Sequence, residues 1–187
     1  SFEKFKSDVI DKSKTRVLGF INIAAPGMNE AEQDPLQFDV SSAVAMAKKY
    51  PEYIVGFKSA HYWTSKPYDS LHTPWASVDS LIAAGRAANL PVMIDFYPRV
   101  VDGNYPARTY RELVMEKMRP GDIHTHVFAA HIPTIRADST VDPDVIAAQK
   151  RGVIFDVGHG AGSFIFAHAA PGLAQGFYPN SISTDLH

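Results

Sequence analysis

The sequence contains no cysteine, so disulfide bonds and thiolate metal ligands are excluded. It also lacks any apolar run close to the ~20 residues that a helix needs to span a bilayer. Acidic and basic residues nearly balance, and a formal net charge of -2 gives no electrostatic reason to expect nucleic acid or a membrane as a partner. The 187 residues are enough for one sizeable core, and no linker divides them. The sequence therefore predicts a single domain over residues 1–187.

A glycine-rich turn after the first strand is also missing, although a doubly wound open sheet would usually carry one. What is present is an alternation of short apolar runs with helical segments, which implies a parallel sheet joined by right-handed crossovers. Because a complete eight-stranded barrel typically takes ~250 residues, the pattern predicts an α/β fold that is a partial TIM (β/α)8 barrel, about strands 3 to 8. An open sheet is the alternative. The predicted strands are Arg16–Ala25, Tyr53–Phe57, Leu90–Phe96, Ile123–Phe128, Val153–Val157 and Ile182–Asp185. The predicted helices are Phe2–Lys12, Val40–Tyr50, Ser77–Asn89, Thr109–Met118, Asp142–Lys150 and Ser163–Gln175.

Polar side chains that can bind a metal or move a proton stand at the ends of these predicted strands. The carboxyl ends of barrel strands converge on one mouth, where barrel enzymes do their chemistry. Lys, Asp and His side chains gathered there are typical of a metal-dependent hydrolase. The residues in question are Lys58, Asp95, His124, His126, His159, Asp185 and His187.

Most of these residues also have a purely structural explanation. Asp185 is able to bind a metal and accept a proton, or it caps a following helix or closes a turn. His124 and His126 are two apart, so on a strand they share a face, and both rings either enter the mouth or are buried and hydrogen-bonded. His159 lies between glycines, which allow the backbone to approach a ligand closely or simply form a loop.

Lys58 follows a buried apolar run, where an unpaired ammonium group is costly. Three explanations fit the sequence. Lys58 forms a plain ion pair with Asp95 or Asp185, or it forms a Schiff base with a carbonyl substrate. Alternatively it is carbamylated, which replaces the cation by a carboxylate that can bridge two metals.

Two loops after the predicted strands carry further candidates for substrate contact. His61 belongs to an aromatic loop that either lines a substrate pocket or packs on the rim of the barrel. Arg99 either clamps a substrate carboxylate through paired N–H groups or forms a surface ion pair. Neither loop gives a readable indication of the substrate.

Four motifs follow one another at the strand ends: Gly56-Phe-Lys58, Gly121-Asp-Ile-His-Thr-His126, Phe155-Asp-Val-Gly-His159-Gly and Ile182-Ser-Thr-Asp185-Leu-His187. Together they resemble the amidohydrolase superfamily, in particular its dihydroorotase-like amidohydrolase/deacetylase branch. The resemblance runs from about Arg16 to the end of the chain and keeps the strand order.

This resemblance implies a barrel that hydrolyses amide or cyclic amide bonds with one or two divalent metals, most often zinc. It implies that Lys58, His126 and Asp185 bind the metal, with Lys58 often carbamylated in the family. Asp185 would also act as the general base beside a metal-activated hydroxide. The predicted substrate-binding residues are His159, His61, His124, His187 and Arg99.

The sequence departs from the family pattern in two places. The family's fifth strand usually ends in a metal-binding histidine, where this sequence has Asp95, a carboxylate that can also bind zinc. In addition, no His-x-His motif precedes Lys58, whereas the family carries one on its first strand. We therefore expect the chain to be a fragment truncated at both ends, with part of its metal site outside it.

The sequence thus predicts an enzyme, a deacetylase or dihydroorotase-like hydrolase that acts on a small-molecule amide. Two alternatives stay open. One is a catalytically inactive barrel fragment that serves as a binding or scaffold domain, and the other is a metal-free Schiff-base lyase or aldolase that uses Lys58. Unpaired strand edges favour self-association, so a homo-oligomer is a further expectation.

Overall fold

The computed structural model describes residues 1–59, 62–64 and 66–185. Within these residues, five strands form one sheet in the order β1-β2-β3-β4-β5, and every neighbouring pair is parallel. Strands that pair in chain order, each with the next, are the arrangement of a barrel wall rather than of an open sheet whose order reverses. The prediction of a parallel α/β fold is therefore confirmed. The strands are β1 Gly19–Asn22, β2 Ile54–Ser59, β3 Val92–Ile94, β4 Ile123–His124 and β5 Ile154–Phe155.

Helices occupy the crossovers between the strands, and several begin and end at residues suited to those positions. The Asp39 side chain accepts the Ser42 N–H at 2.9 Å at the start of α2. Asn89 and Gly152, both left-handed, end α3 and α4. None of the helices in the described part of the chain combines the length and apolar character that crossing a bilayer requires. The α-helices are α1 Phe2–Asp8, α2 Val40–Lys49, α3 Ala76–Ala88, α4 Pro143–Arg151 and α5 Phe166–Ala174, and a π-helical segment spans Glu112–Lys117.

The two faces of the sheet differ in how completely they are covered. Side chains alternate between faces along a strand. One face packs against the helices, and its side chains are almost fully buried: Phe57, Val92, Ile94, His124 and Phe155. Lys58, Met93, Ile123 and Ile154 occupy the alternate positions and are only half-buried. Lys58 therefore lies on the less covered face. Asp95, which directly follows β3, lies on the same face if the alternation continues past the end of the strand.

The last predicted strand, Ile182–Asp185, is not a strand in the described part of the chain. This segment still runs beside the chain that follows β5, because His159 N–H donates to Ser183 O at 2.9 Å and Gly160 N–H donates to Thr184 O at 2.9 Å. Gly158 and Gly160 have positive φ, which turns the chain and prevents a regular ladder. The helix predicted over Thr109–Met118 is replaced by the shorter π-helical segment.

Candidate functional site

Three of the predicted site residues meet at the carboxyl end of the sheet. His126 Nε2 lies 3.7 Å from Asp95 Oδ2 and 3.8 Å from Asp185 Oδ2. Asp95 directly follows β3, and His126 follows β4 by two residues, so adjacent parallel strands deliver both side chains to one edge. His126 and Asp95 are buried, whereas the Asp185 side chain is 36% exposed. The cluster is therefore buried where His126 and Asp95 lie and open to solvent where Asp185 lies.

The hydrogen bonds of His126 fix which ring nitrogen faces the carboxylates. His126 Nδ1 lies 2.7 Å from the carbonyl oxygen of Gly158. Since a carbonyl oxygen only accepts, Nδ1 carries a proton and donates it. In the neutral ring, Nε2 then presents a lone pair toward Asp95 and Asp185. A backbone carbonyl that orients one ring nitrogen while the other faces a ligand is the usual environment of a metal-binding histidine.

Unusual backbone conformations surround this point. His126 has φ 61° and Asp185 has φ 49°, a left-handed region that residues other than glycine seldom adopt. Gly158 and Gly160 also have positive φ, and a Cβ at Gly160 would stand 2.9 Å from Asp185 Oδ2. Such local strain concentrates at functional sites, where surrounding contacts enforce it.

Asp156 is a site residue that sequence reasoning missed. It directly follows β5, is 3% exposed, and accepts hydrogen bonds from the hydroxyl groups of Thr125, Ser181 and Ser183. Its signal in the sequence was a carboxylate inside the apolar run 153–157, which a strand buried on both faces does not explain.

Glu32 was missed as well. It lies in the 3-10 turn Glu30–Gln33 after β1, is 8% exposed, and accepts a hydrogen bond from Asn22 Nδ2 at 2.6 Å. Its neighbours in sequence are mostly polar, so nothing in the pattern indicated burial. Asn22 pairs with Lys58 in the sheet register, which places Glu32 beside the same half-covered face.

Lys58 is half-buried at the end of β2, in the sheet register of Met93. No ion pair or side-chain hydrogen bond joins it to another of the described residues, so the expected ion pair with Asp95 or Asp185 is not found among them. The alternation of faces places Lys58 and Asp95 on the same side of the sheet. The Schiff-base and carbamylation hypotheses both remain predictions.

The structure places His124 in the buried core beside the sheet. Its ring packs between Tyr110 and Phe155 in the helix-covered layer, and the residue is completely buried. The burial lowers the pKa of His124 to about 4, so it is neutral at physiological pH. Both His124 and His126 are buried and hydrogen-bonded, which is one of the two alternatives that the sequence left open. The alternation of faces does not extend to His126, because this left-handed residue lies beyond the end of β4. The predicted substrate contact of His124 gains no support from its position.

Arg99 and His159 differ in how available they are to a substrate. Arg99 Nη1 donates to the carbonyl oxygens of Trp63 and Lys66, and its Nη2 donates to Asp102 at 3.1 Å. These contacts join two loops and leave the predicted carboxylate clamp without support. His159, in contrast, is exposed and stacks on Phe164 with ring centres 5.2 Å apart. His61 and His187 lie outside the described residues.

Imidazole nitrogen and carboxylate oxygen are suitable ligands for zinc and similar divalent ions. Among residues 1–59, 62–64 and 66–185, however, no group of three or more histidine, aspartate or glutamate side chains is close enough together to hold an ion by itself. The donor types of His126, Asp95 and Asp185 thus fit a divalent metal, although the described residues do not form a complete metal site.

The chain is similar to proteins named deacetylases. It is 28% identical over 200 residues to deacetylase Atu3266 of Agrobacterium fabrum, covering 100% of this chain and 44% of that protein. It is likewise 28% identical over 200 residues to a deacetylase of Brucella anthropi, covering 100% of this chain and 45% of the relative. The chain thus spans less than half the length of these two relatives. It matches no protein-family model.

Two solved structures share the fold across the whole chain. A dihydroorotase superposes with a TM-score of 0.77 at 26% identity, covering 100% of this chain and 50% of that one. An adenine deaminase superposes with a TM-score of 0.79 at 24% identity, covering 100% and 48%. The predicted resemblance to amidohydrolases and the predicted partial barrel are both confirmed by these comparisons.

Proposed function

We propose that the protein carrying this chain is a metal-dependent hydrolase that cleaves an amide or cyclic amide C–N bond of a small molecule. Similarity to proteins named deacetylases and to a dihydroorotase supports hydrolysis of C–N bonds. The similarity does not extend to metal dependence or to the class of substrate, and both are proposed from the residues of the site.

The observation that carries the proposal is the direction in which His126 Nε2 points. Nε2 faces the carboxylate oxygens of Asp95 and Asp185 at 3.7 and 3.8 Å, and a positive charge at this point, either a proton on the ring or a bound cation, would stabilise the arrangement. A divalent ion held by His126, Asp95 and Asp185 would supply that charge, since imidazole and carboxylate groups are ligands that zinc accepts.

The side chains of this site have separable roles in the proposal. His126, Asp95 and Asp185 would hold the ion, together with a carbamylated Lys58. When bound, such an ion lowers the pKa of water and polarises the carbonyl group under attack. Asp185 is open enough to accept a proton and deliver it to the leaving nitrogen. His159, exposed on the loop after β5, contacts the substrate.

Substitution of Asp185 by Asn tests the proposal directly. We expect Asp185→Asn in the full-length protein to reduce turnover of N-acetylated amino acids or cyclic amides by about 100-fold or more, since proton transfer is lost. The fold should persist because the side chain is partly exposed. Asp138→Asn, which changes an exposed carboxylate in a distant turn, is the matched control. Activity of Asp185→Asn equal to wild type would contradict the proposal.

Lys58 separates the metal hydrolase from a Schiff-base lyase. If Lys58 is carbamylated, Lys58→Ala loses metal and regains part of it when short carboxylic acids are added. Full metal retention in Lys58→Ala would remove the bridging role. A borohydride-trapped substrate adduct on Lys58 would instead support the lyase.

A binding or scaffold domain without catalysis is the second candidate. It is favoured by Asp95 at the position where the family usually has histidine. Chelator-sensitive hydrolysis by the zinc-loaded full-length protein would exclude this candidate.

A further inference from the structure

Asp156 joins the two segments that carry His126 and Asp185. Thr125 Oγ1 donates to Asp156 Oδ2 at 2.8 Å, and Thr125 is the residue before His126. Ser181 Oγ donates to Oδ1 at 2.6 Å and Ser183 Oγ donates to Oδ2 at 2.7 Å, from the segment that leads to Asp185. One buried carboxylate therefore contacts both sides of the candidate site.

The backbone of Asp156 strengthens the same connection. Its N–H donates to His124 O at 2.8 Å, and its carbonyl oxygen accepts the Val127 N–H at 3.3 Å. These two bonds bracket residues 125 and 126. His126 is thus held by backbone bonds on either side and, through Thr125, by the Asp156 side chain.

The charge of Asp156 is not paired with a basic side chain among the described residues. Three hydroxyl groups are its side-chain partners, and it is 3% exposed. A buried carboxylate without a counter-ion is costly. A cation bound at the neighbouring site would offset part of this cost.

We propose that Asp156 is a positioning residue, which fixes the distance between His126 and Asp185 by holding Thr125 on one side and Ser181 and Ser183 on the other. The part of this inference that concerns metal rests on the proposed function. Residues that orient metal ligands in this way typically contribute about 10- to 100-fold to metal affinity or activity.

The test measures zinc affinity of the full-length protein by competition with a chromophoric chelator, which does not depend on catalysis. We expect Asp156→Asn to weaken zinc binding about 10- to 100-fold, because the amide nitrogen donates where a carboxylate oxygen accepted. Asp122→Asn, another buried carboxylate at the opposite end of the sheet, should leave zinc affinity unchanged.

Thr125 provides a matched pair that keeps the inference testable if Asp156→Asn does not fold. Thr125→Val removes the hydroxyl group at constant shape and should weaken zinc binding, whereas Thr125→Ser keeps the hydroxyl group and should bind zinc as wild type does. A structural role alone would predict lower stability with unchanged zinc affinity. Equal affinities for Thr125→Val and Thr125→Ser, or unchanged affinity in a folded Asp156→Asn, would overturn the inference.

The Asp185→Asn variant separates failure of this inference from failure of the proposed function. If wild type binds zinc, Asp185→Asn loses it and Asp156→Asn keeps it, then only the positioning role is wrong. If wild type has no zinc affinity, both the proposed metal site and the positioning role are overturned.

Discussion

At the amino-terminal end of the sheet, Asp122 is completely buried and accepts four hydrogen bonds within 3.0 Å, three from Arg119 and one from the Val92 N–H. At the carboxyl-terminal end, Asp95 and Asp185 stand 3.7 and 3.8 Å from His126, beyond hydrogen-bond distance. Both ends place carboxylates beside a nitrogen group, but the nitrogen groups of Arg119 and Val92 lie within hydrogen-bond distance of Asp122, whereas His126 Nε2 lies farther from Asp95 and Asp185.

Asp122 and Arg119 form direct hydrogen bonds that stabilise the fold. His126, Asp95 and Asp185 instead face one another across a gap. Arg119 also donates to Leu90 O, so the amino-terminal cluster ties the starts of β3 and β4 together. At the other end, hydrogen bonds orient the ring of His126 and leave Nε2 directed at the two carboxylates. In barrel enzymes the amino-terminal face serves stability and the carboxyl-terminal face serves chemistry, and the contacts at the two ends of this sheet differ in the direction that this division predicts.

Removal of Asp122 should have the largest effect on stability and none on the site. Asp122→Ala leaves Arg119 and the Val92 N–H without their buried acceptor, and we expect the free energy of unfolding to fall by about 3–5 kcal/mol. Urea denaturation of the full-length protein measures this loss. The folded fraction should retain wild-type zinc affinity; weakened zinc binding there would show that the two ends of the sheet are coupled.

Two left-handed glycines sharpen the comparison with a smaller effect. A Cβ at Gly158 would overlap Thr125 Oγ1 and stand 2.5 Å from His126 Nδ1, whereas a Cβ at Gly121 meets nothing within 4 Å. Both have positive φ, so Gly121→Ala should cost about 1 kcal/mol of backbone strain, and Gly158→Ala about 2–3 kcal/mol because neighbours must also move. Denaturation measures both.

Zinc affinity distinguishes the two glycine variants more clearly than stability does. Gly158→Ala should weaken zinc binding since it displaces the ring of His126, and Gly121→Ala should not. Equal zinc affinities for the two variants would mean that the position of the His126 ring does not control the metal.

The sequence predicted the meeting of Asp95, His126 and Asp185 because carboxyl ends of parallel strands converge, and apolar runs reveal where strands end. It predicted poorly wherever the chain stops being extended. The left-handed His126 breaks the alternation that would have put it on the face of His124, and the turns after β5 prevent the last predicted strand. These conformations depend on tertiary contacts, which local patterns do not encode.

Asp156 and Glu32 show a second limit. Their importance comes from partners distant in sequence: Asp156 accepts from Thr125 and Ser183, and Glu32 from Asn22. A carboxylate within a short polar or apolar run gives no indication of which hydroxyl or amide groups the fold brings to it. Of these two residues, only Asp156 had a sequence pattern that indicated burial, because it lies inside the apolar run 153–157.

His124 tests where the buried core ends and the candidate site begins. Its expected effect on the free energy of unfolding is the smallest of these predictions at neutral pH. His124 stands two residues before His126, yet it is buried in the core, and burial lowers its pKa to about 4 from an ordinary value near 6.5. The unfolded chain therefore binds the proton more readily, so stability is full above about pH 6.5 and falls as the pH drops toward 4. At pH 4.5 the loss should reach about 2 kcal/mol.

Other groups also titrate in this pH range, so the contribution of His124 is measured as a difference. His124→Leu has no proton to gain, and its free energy of unfolding should fall about 2 kcal/mol less than that of wild type between pH 7 and pH 4.5. If both proteins lose the same stability, the His124 ring is not buried as a neutral group. If His124→Leu instead loses zinc affinity at pH 7, then the candidate site extends into β4, and His124 belongs to that site rather than to the buried core that stabilises the fold.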